Sequence, residues 1–223
     1  MSKSWFKIMA GAKKGTTQIE IYDEIGAWGV TAANFMNELK AIEAEEINLR
    51  LNSEGGAVFD GIPIYNALKR HSARVVVDVD GLAASIASVI AMAGDEIRMA
   101  GNAFMMIHDP WIYAMGTADE LRKTADTMDS VRDKLLDAYD GREGTDREEI
   151  SDFMTQETWM TAEEALDAGL IDTITDELQI AAKVHPERYR HVPEEVLNKG
   201  TPRLDAVRKE INTHLSTRVT SFT

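Results

Sequence analysis

Short apolar stretches that alternate with polar residues recur along the chain, separated by segments whose apolar positions fall three and four apart. That rhythm predicts an α/β protein in which crossover helices cover a mostly parallel sheet. Gln18 to Tyr22 reads as the first strand, and Thr31 is placed to cap a helix carrying Phe35, Met36, Leu39 and Ile42 on one face. Ile47, Leu49 and Leu51 alternate as a second strand, which ends at Asn52-Ser53-Glu54-Gly55-Gly56, where a glycine pair allows backbone angles that other residues avoid. Val58 to Lys69 predicts a helix turning Phe59, Ile62 and Leu68 toward the core, with Pro63 near its first turn, where a missing N–H costs little. Val75, Val77 and Val79 mark a strand over Arg74 to Val79, followed by a turn at Gly81.

Ala83 to Ala93 is small, apolar and free of charge, the pattern of a buried helix packed closely on its neighbours. Two further strands, Glu96 to Met99 and Ala103 to Ile107, lead into His108-Asp109-Pro110. Thr117 and Glu120 have capping-box spacing, and Leu121, Met128, Val131 and Leu135 then recur at helical intervals to about Tyr139, the longest helix. Asp146 with Glu149 and Thr161 with Glu164 begin two shorter helices, the second closing at Gly169, and Leu170 to Ile174 reads as a last strand. Beyond about Glu177 the chain is broken at His185-Pro186, Val192-Pro193 and Gly200-Thr201-Pro202 before an amphipathic stretch with Leu204, Val207, Ile211 and Leu215. The expected organisation is an amino-terminal segment over 1–16, a main domain over 17–176 and a helical appendage over 177–223.

At 223 residues the chain is long enough for one sizeable core. Its formal net charge of −14 argues against a nucleic-acid role, which needs clustered Lys and Arg, and fits an acidic solvated surface. The absence of cysteine removes disulfides, thiolate nucleophiles and Cys-based zinc sites together. The five histidines are far apart, without metal-ligand spacing. The start of the chain lacks the long apolar core of a secretory signal, and no later run approaches the length of a membrane span. A cytoplasmic protein needing neither metal nor cofactor is expected.

The sharpest local feature is Gly81-Leu82-Ala83-Ala84-Ser85-Ile86-Ala87, a strand giving way to a helix of small residues. A serine there sits near helical N–H groups able to stabilise an oxyanion; the competing reading is a serine on a small-residue packing face, as Ser88 illustrates. His108 ends an apolar strand, where catalytic groups gather in parallel sheets, although a structural, hydrogen-bonded histidine fits the same position. A serine hydroxyl needs a base, and the base gains from an acid that orients its other ring nitrogen. The chain order here would be Ser, His, acid. The G-x-S-x-G signature is absent at Ser85, which argues against an α/β-hydrolase elbow.

Four blocks, in order, carry a resemblance: Leu51-Asn52-Ser53-Glu54-Gly55-Gly56, Gly81-Leu82-Ala83-Ala84-Ser85, Met106-Ile107-His108-Asp109-Pro110, and Thr161-Ala162-Glu163-Glu164-Ala165 through Gly169-Leu170-Ile171-Asp172. Together they resemble the Clp protease proteolytic subunits over most of residues 17 to 176. The resemblance implies a crotonase-like superhelix of repeated ββα units and a serine endopeptidase acting on polypeptides. It also implies a homo-oligomeric ring, heptameric or stacked, with the helix from Thr117 as the ring-stacking handle. Ser85 becomes the nucleophile and His108 the general base; the oxyanion donors are the main-chain N–H groups of Gly56 and Ile86, and substrate lies along Gly55 and Gly56. The family's acid maps to Glu157, ahead of Trp159-Met160-Thr161, with Asp152 as the alternative acid.

Two departures stand out. Glu54 replaces a proline usual in the family and puts a flexible charge beside the expected substrate groove. The amino-terminal segment does not match the family's axial-loop region, which argues against docking to an ATPase unfoldase. The Glu-Thr-Trp-Met-Thr-Ala run and the divergent carboxyl end resemble phage-encoded head-maturation proteases, which would act within a prohead on capsid or scaffold protein. Two rival readings are a ring scaffold with a degenerate site and a crotonase-type acyl-CoA hydratase or isomerase.

Overall fold

The computed structural model describes residues 4–12, 14–26, 31–179 and 184–198. Its centre is an eight-stranded sheet ordered β1-β2-β3-β4-β5-β8, with β6 and β7 branching from β4. The strands are β1 (Phe6–Ala10), β2 (Thr16–Ile21), β3 (Glu46–Ser53), β4 (Arg74–Ala84), β5 (Glu96–Ala100), β6 (Phe104–Ile107), β7 (Thr158–Met160) and β8 (Thr173–Thr175). β1 is antiparallel to β2 and β7 to β6; every other pairing is parallel. The helices are α1 (Ala32–Leu39), α2 (Val58–Lys69), α3 (Ile86–Ala91), α4 (Ala118–Asp140), α5 (Arg147–Gln156), α6 (Ala162–Asp167) and α7 (Glu194–Asn198), with a 3₁₀ turn at Pro186–Arg188. The α/β class predicted from the apolar rhythm is the one observed.

Parallel strands buried on both faces need apolar side chains on both, and the core is built from them. Ile19, Ile21, Ile47, Leu49, Leu51, Val77, Val79, Ile97 and Met99 are all essentially inaccessible. Beneath the sheet's rim, Asp80 is also buried, and it accepts from Arg50 Nε at 2.8 Å, from Arg50 Nη2 at 2.7 Å and from the Tyr22 hydroxyl. Both the Thr117–Glu120 and Thr161–Glu164 capping boxes form, at the starts of α4 and α6. Asp146 caps α5 through the N–H groups of Glu148 and Glu149.

Four local expectations are corrected. Gly81 is no turn: β4 runs on through it to Ala84, so the helix expected from Ala83 begins only at Ile86. The paired positions pass from Leu51↔Val79 to Ser53↔Ala83, so β4 holds a bulge around Gly81, a role that glycine in a strand often serves. Phe59 does not face the core but is 73% exposed, because the first turn of α2 borders an open cavity. Pro63 lies in the second turn of α2, where its lack of an N–H leaves the Phe59 carbonyl without its helix bond. β8 is shorter than expected, since Leu170 and Ile171 are buried in the connection before it.

α4 is half outside the body of the fold. Its carboxyl end buries Leu135, Leu136, Ala138 and Tyr139, whereas Leu121 near its start is exposed, as are Trp111, Ile112, Tyr113 and Met115 on the approach. No helix among the described residues is long and apolar enough to cross a membrane, and no described cluster of acidic and histidine side chains is arranged to hold a metal ion. The amphipathic stretch at Leu204, Val207, Ile211 and Leu215 lies outside the described residues.

Candidate active site

β5 and β6 lie on the same side of β4, one after the other. Val76 to Val79 pair with β5, and Leu82, Ala83 and Ala84 then pair with Phe104, Met105 and Met106 of β6. Ser85 N–H continues that ladder by donating to the Met106 carbonyl at 2.9 Å. Ser85 and His108 therefore leave the sheet together, one step beyond adjacent strand ends. Ser85 Oγ and His108 Nε2 are 2.8 Å apart.

Ser85 is the N-cap of α3 and has φ 55° and ψ −129°. Among the described residues the only other non-glycine with positive φ is Glu157, at 55°. Such backbone is sparsely populated and costs of order 1–3 kcal/mol per residue, a cost that persists where surrounding contacts over-determine it. Ser88 supplies one of them: its hydroxyl donates to the Ser85 carbonyl at 2.6 Å and lies 2.8 Å from the Tyr139 hydroxyl. Burial pushes the Tyr139 phenol upward, so it stays protonated.

The glycine pair fits tightly against this turn. A Cβ on Gly55 would lie 2.7 Å from the Ala84 carbonyl oxygen and 2.8 Å from Ser85 Cβ, and its φ of +99° would strain any other residue. Gly56 bridges to Ile25 through its neighbours, with Ile25 N–H donating to the Gly55 carbonyl at 2.7 Å and Ala57 N–H to the Ile25 carbonyl at 3.1 Å. In a parallel bridge that pattern directs the N–H and C=O of Gly56 itself to the opposite side. Ile86, at the first position of α3, has an N–H beyond the reach of its own helix ladder. Gly56, Ile86, Ser85 and His108 line one cavity of about 1080 Å³.

His108 is 9% exposed at its side chain, and burial lowers its pKa below the ordinary histidine value. Glu157 and Asp109 push it back up, while Arg190 adds to the lowering. The exit from β6 is fixed by Asp109, whose N–H donates to the Met154 carbonyl at 3.0 Å and whose carboxylate meets Arg132 Nε at 2.6 Å. Glu157 ends α5 in the left-handed conformation and is 7% exposed, with Oε2 4.0 Å from His108 Nδ1. Asp152 is exposed on α5 and does not line the cavity. Of the two candidate acids, only Glu157 is brought to the histidine.

Glu54 departs from expectation. Rather than a flexible charge it is 4% exposed, and its carboxylate receives the His185 N–H at 2.7 Å, the His185 ring and Arg188 Nη1 at 3.5 Å. The chain beyond Glu177 thus returns to the site, which periodicity could not reveal. Tyr189 donates its hydroxyl to the Glu54 carbonyl at 2.6 Å and sets its ring 5.9 Å from that of His108. Burial, reinforced by Glu54, raises the Tyr189 phenol and keeps it a donor. The signal that could have pointed here is Glu54 itself: a carboxylate in place of the family's usual proline needs partners once it is buried.

Residues 3–178 match the Clp protease family. An ATP-dependent Clp protease proteolytic subunit of Bacteroides fragilis is 31% identical over 132 residues, 58% of this chain and 64% of the relative. The corresponding subunit of Deinococcus radiodurans is 35% identical over 135 residues, covering 60% of this chain and 66% of the relative. Proteolytic subunit 1 of Prochlorococcus marinus is 30% identical over 152 residues, 66% of this chain and 78% of the relative. The Bacteroides match thus spans under two thirds of that relative's length, and the family match ends before the segment that folds back over the site. A family match over most of the chain, together with a sheet of the kind that resemblance implied, leaves one assignment: the chain belongs to the Clp protease family.

Proposed function

We propose that this chain is a serine endopeptidase in which Ser85 is the nucleophile, His108 the general base and Glu157 the acid. The observation that carries the reading is the 2.8 Å contact between Ser85 Oγ and His108 Nε2, in a cavity that Gly56 and Ile86 also line. Ser85 Oγ attacks a peptide carbonyl as its proton passes to Nε2, and the Gly56 and Ile86 N–H groups stabilise the oxyanion. The tetrahedral intermediate expels the amine, which takes the proton from Nε2, leaving an acyl-serine. Water, deprotonated by His108, then attacks the acyl carbon and releases the carboxylate product and the free Ser85 hydroxyl. An extended polypeptide adds along the free side of Gly55 and Gly56 through main-chain bonds, which gives broad sequence tolerance.

The exposed apolar run from Trp111 to Met115 and the start of α4 support assembly into a ring through this face, since a patch of that kind calls for a partner. A narrower role in phage head maturation, on capsid or scaffold protein, rests on the Glu-Thr-Trp-Met-Thr-Ala run and the distinctive carboxyl end; cleavage of co-expressed capsid or scaffold protein is its test. For the chemistry, a fluorophosphonate labels the wild type and fails on Ser85→Ala. Equal labelling of both would remove Ser85 from the mechanism. An assembled protein that neither labels nor cleaves casein would favour the degenerate scaffold, and CoA thioester turnover without peptide cleavage the hydratase reading.

A further inference from the structure

We propose that residues 184–191 form a strap that positions the Glu157 carboxylate, clasped to the body of the protein through Glu54. This rests on the serine-peptidase reading and extends it to a segment beyond the family match at residues 3–178. Glu157 Oε1 accepts main-chain N–H groups from Arg190 at 2.5 Å and His191 at 3.0 Å. With that oxygen held by these two strap donors and, at 3.5 Å, by the Trp159 indole N–H, the other, Oε2, is the one turned toward His108 Nδ1. A glutamate has one more rotatable bond than an aspartate, so an external hold of this kind substitutes for the shorter side chain's rigidity.

The clasp is built from part-buried polar contacts around the buried Glu54 carboxylate. Besides Glu54 with His185 and Arg188, Arg188 Nη1 meets Glu24 at 2.8 Å and Tyr189 bonds the main chain of Glu54. Tyr189 also sets its ring 5.7 Å from that of Trp159, edge to face, so the aromatic side chains of strap and β7 pack on each other beside the histidine. Glu54 immediately precedes the glycine pair. One carboxylate therefore ties together the oxyanion-side loop, the strap and, through the strap, the acid. The strap walls the cavity through Arg188, Tyr189 and Arg190 without filling it, and among the described residues it makes no hydrogen bond to Ser85 or Ile86. That geometry fits a positioning element and not a plug.

The test uses the full chain with His185→Ala/Arg188→Ala, and Tyr189→Phe as a milder variant that keeps the ring. Fluorophosphonate labelling of Ser85 persists in both. In the double variant kcat on a fluorogenic peptide falls about 10- to 100-fold, the scale of sub-ångström to ångström misplacement, with KM within about twofold. The acidic limb of its pH–rate profile moves up, because release of Tyr189 and Arg190 relieves the desolvation that is the largest influence on His108, which outweighs the weaker pull of a misplaced Glu157. Restoring charge with Arg188→Lys in the His185→Ala background recovers part of kcat. Unchanged kcat and limb in folded variants would overturn the strap, as would a rate increase, which would make it an obstruction. Absence of labelling in the wild type would instead remove the peptidase reading and the strap with it.

Discussion

Glu157→Gln separates an acid that acts on the imidazole from one that only ends a helix. The amide oxygen can go on accepting from Arg190 and His191, so the fold is kept, while the NH₂ group faces His108 and offers a donor where an acceptor stood. A unit charge pair at 4 Å is worth about 4 kcal/mol at an effective dielectric near 20. The observed 4.0 Å separation lacks the hydrogen bond through which amide substitution of a triad acid costs about 10⁴-fold, so the loss is smaller here. The expected fall in kcat is about 10- to 100-fold, equivalent to about 1.4 to 2.7 kcal/mol. The sign of the pH effect is fixed as well. Only neutral His108 can take the Ser85 proton, so the rate rises with pH through its pKa, which burial already lowers and Glu157 raises. Without the carboxylate the acidic limb moves further down even as the plateau drops. Steady-state cleavage of a fluorogenic peptide across the acidic range measures both. A full rate in Glu157→Gln, a limb that moves up, or the same loss in Asp152→Asn would refute the reasoning.

Asp80→Ala leaves the Arg50 guanidinium and the Tyr22 hydroxyl without their buried acceptor and should destabilise the fold by about 2 to 3 kcal/mol, below the 3–5 of a fully enclosed pair because Arg50 is partly solvated. Urea unfolding reads this directly, and a loss under about 1 kcal/mol would mean that water replaces the interaction. Tyr113→Glu with Met115→Glu should shift sedimentation from an assembled ring to smaller species, since both side chains are almost fully exposed in the protomer. A wild type that sediments as a monomer at micromolar concentration would contradict ring assembly.

The elements built by local rules were legible in the sequence. The apolar alternation at Ile47, Leu49 and Leu51 and the capping pairs at Thr117 and Thr161 depend on neighbours a few residues away, and they appear where expected. Phe59 was misread because helical spacing states which residues share a face but not whether that face meets core or cavity. Gly81 was misread because a glycine suits a bulge as well as a turn, and only the strand's change of partner decides between them. For the site, Ser85 and His108 could be nominated, but the positive φ at Ser85 and at Glu157 is invisible in residue type, since neither is glycine. Glu54 was legible as a departure while its partners were not, because His185 is 131 positions away.

The fork at β4 limits how such a molecule could be switched. Ser85 and His108 hang from two neighbouring rungs of one parallel ladder, so pulling them apart means tearing the β4–β6 backbone pairing, where Leu82, Ala83, Ala84, Met105 and Met106 are all buried. Their spacing is in effect a constant of the architecture. On the proposed mechanism, control over turnover falls to the outlying pieces: the glycine loop, Glu157 at the end of its helix and the returning segment.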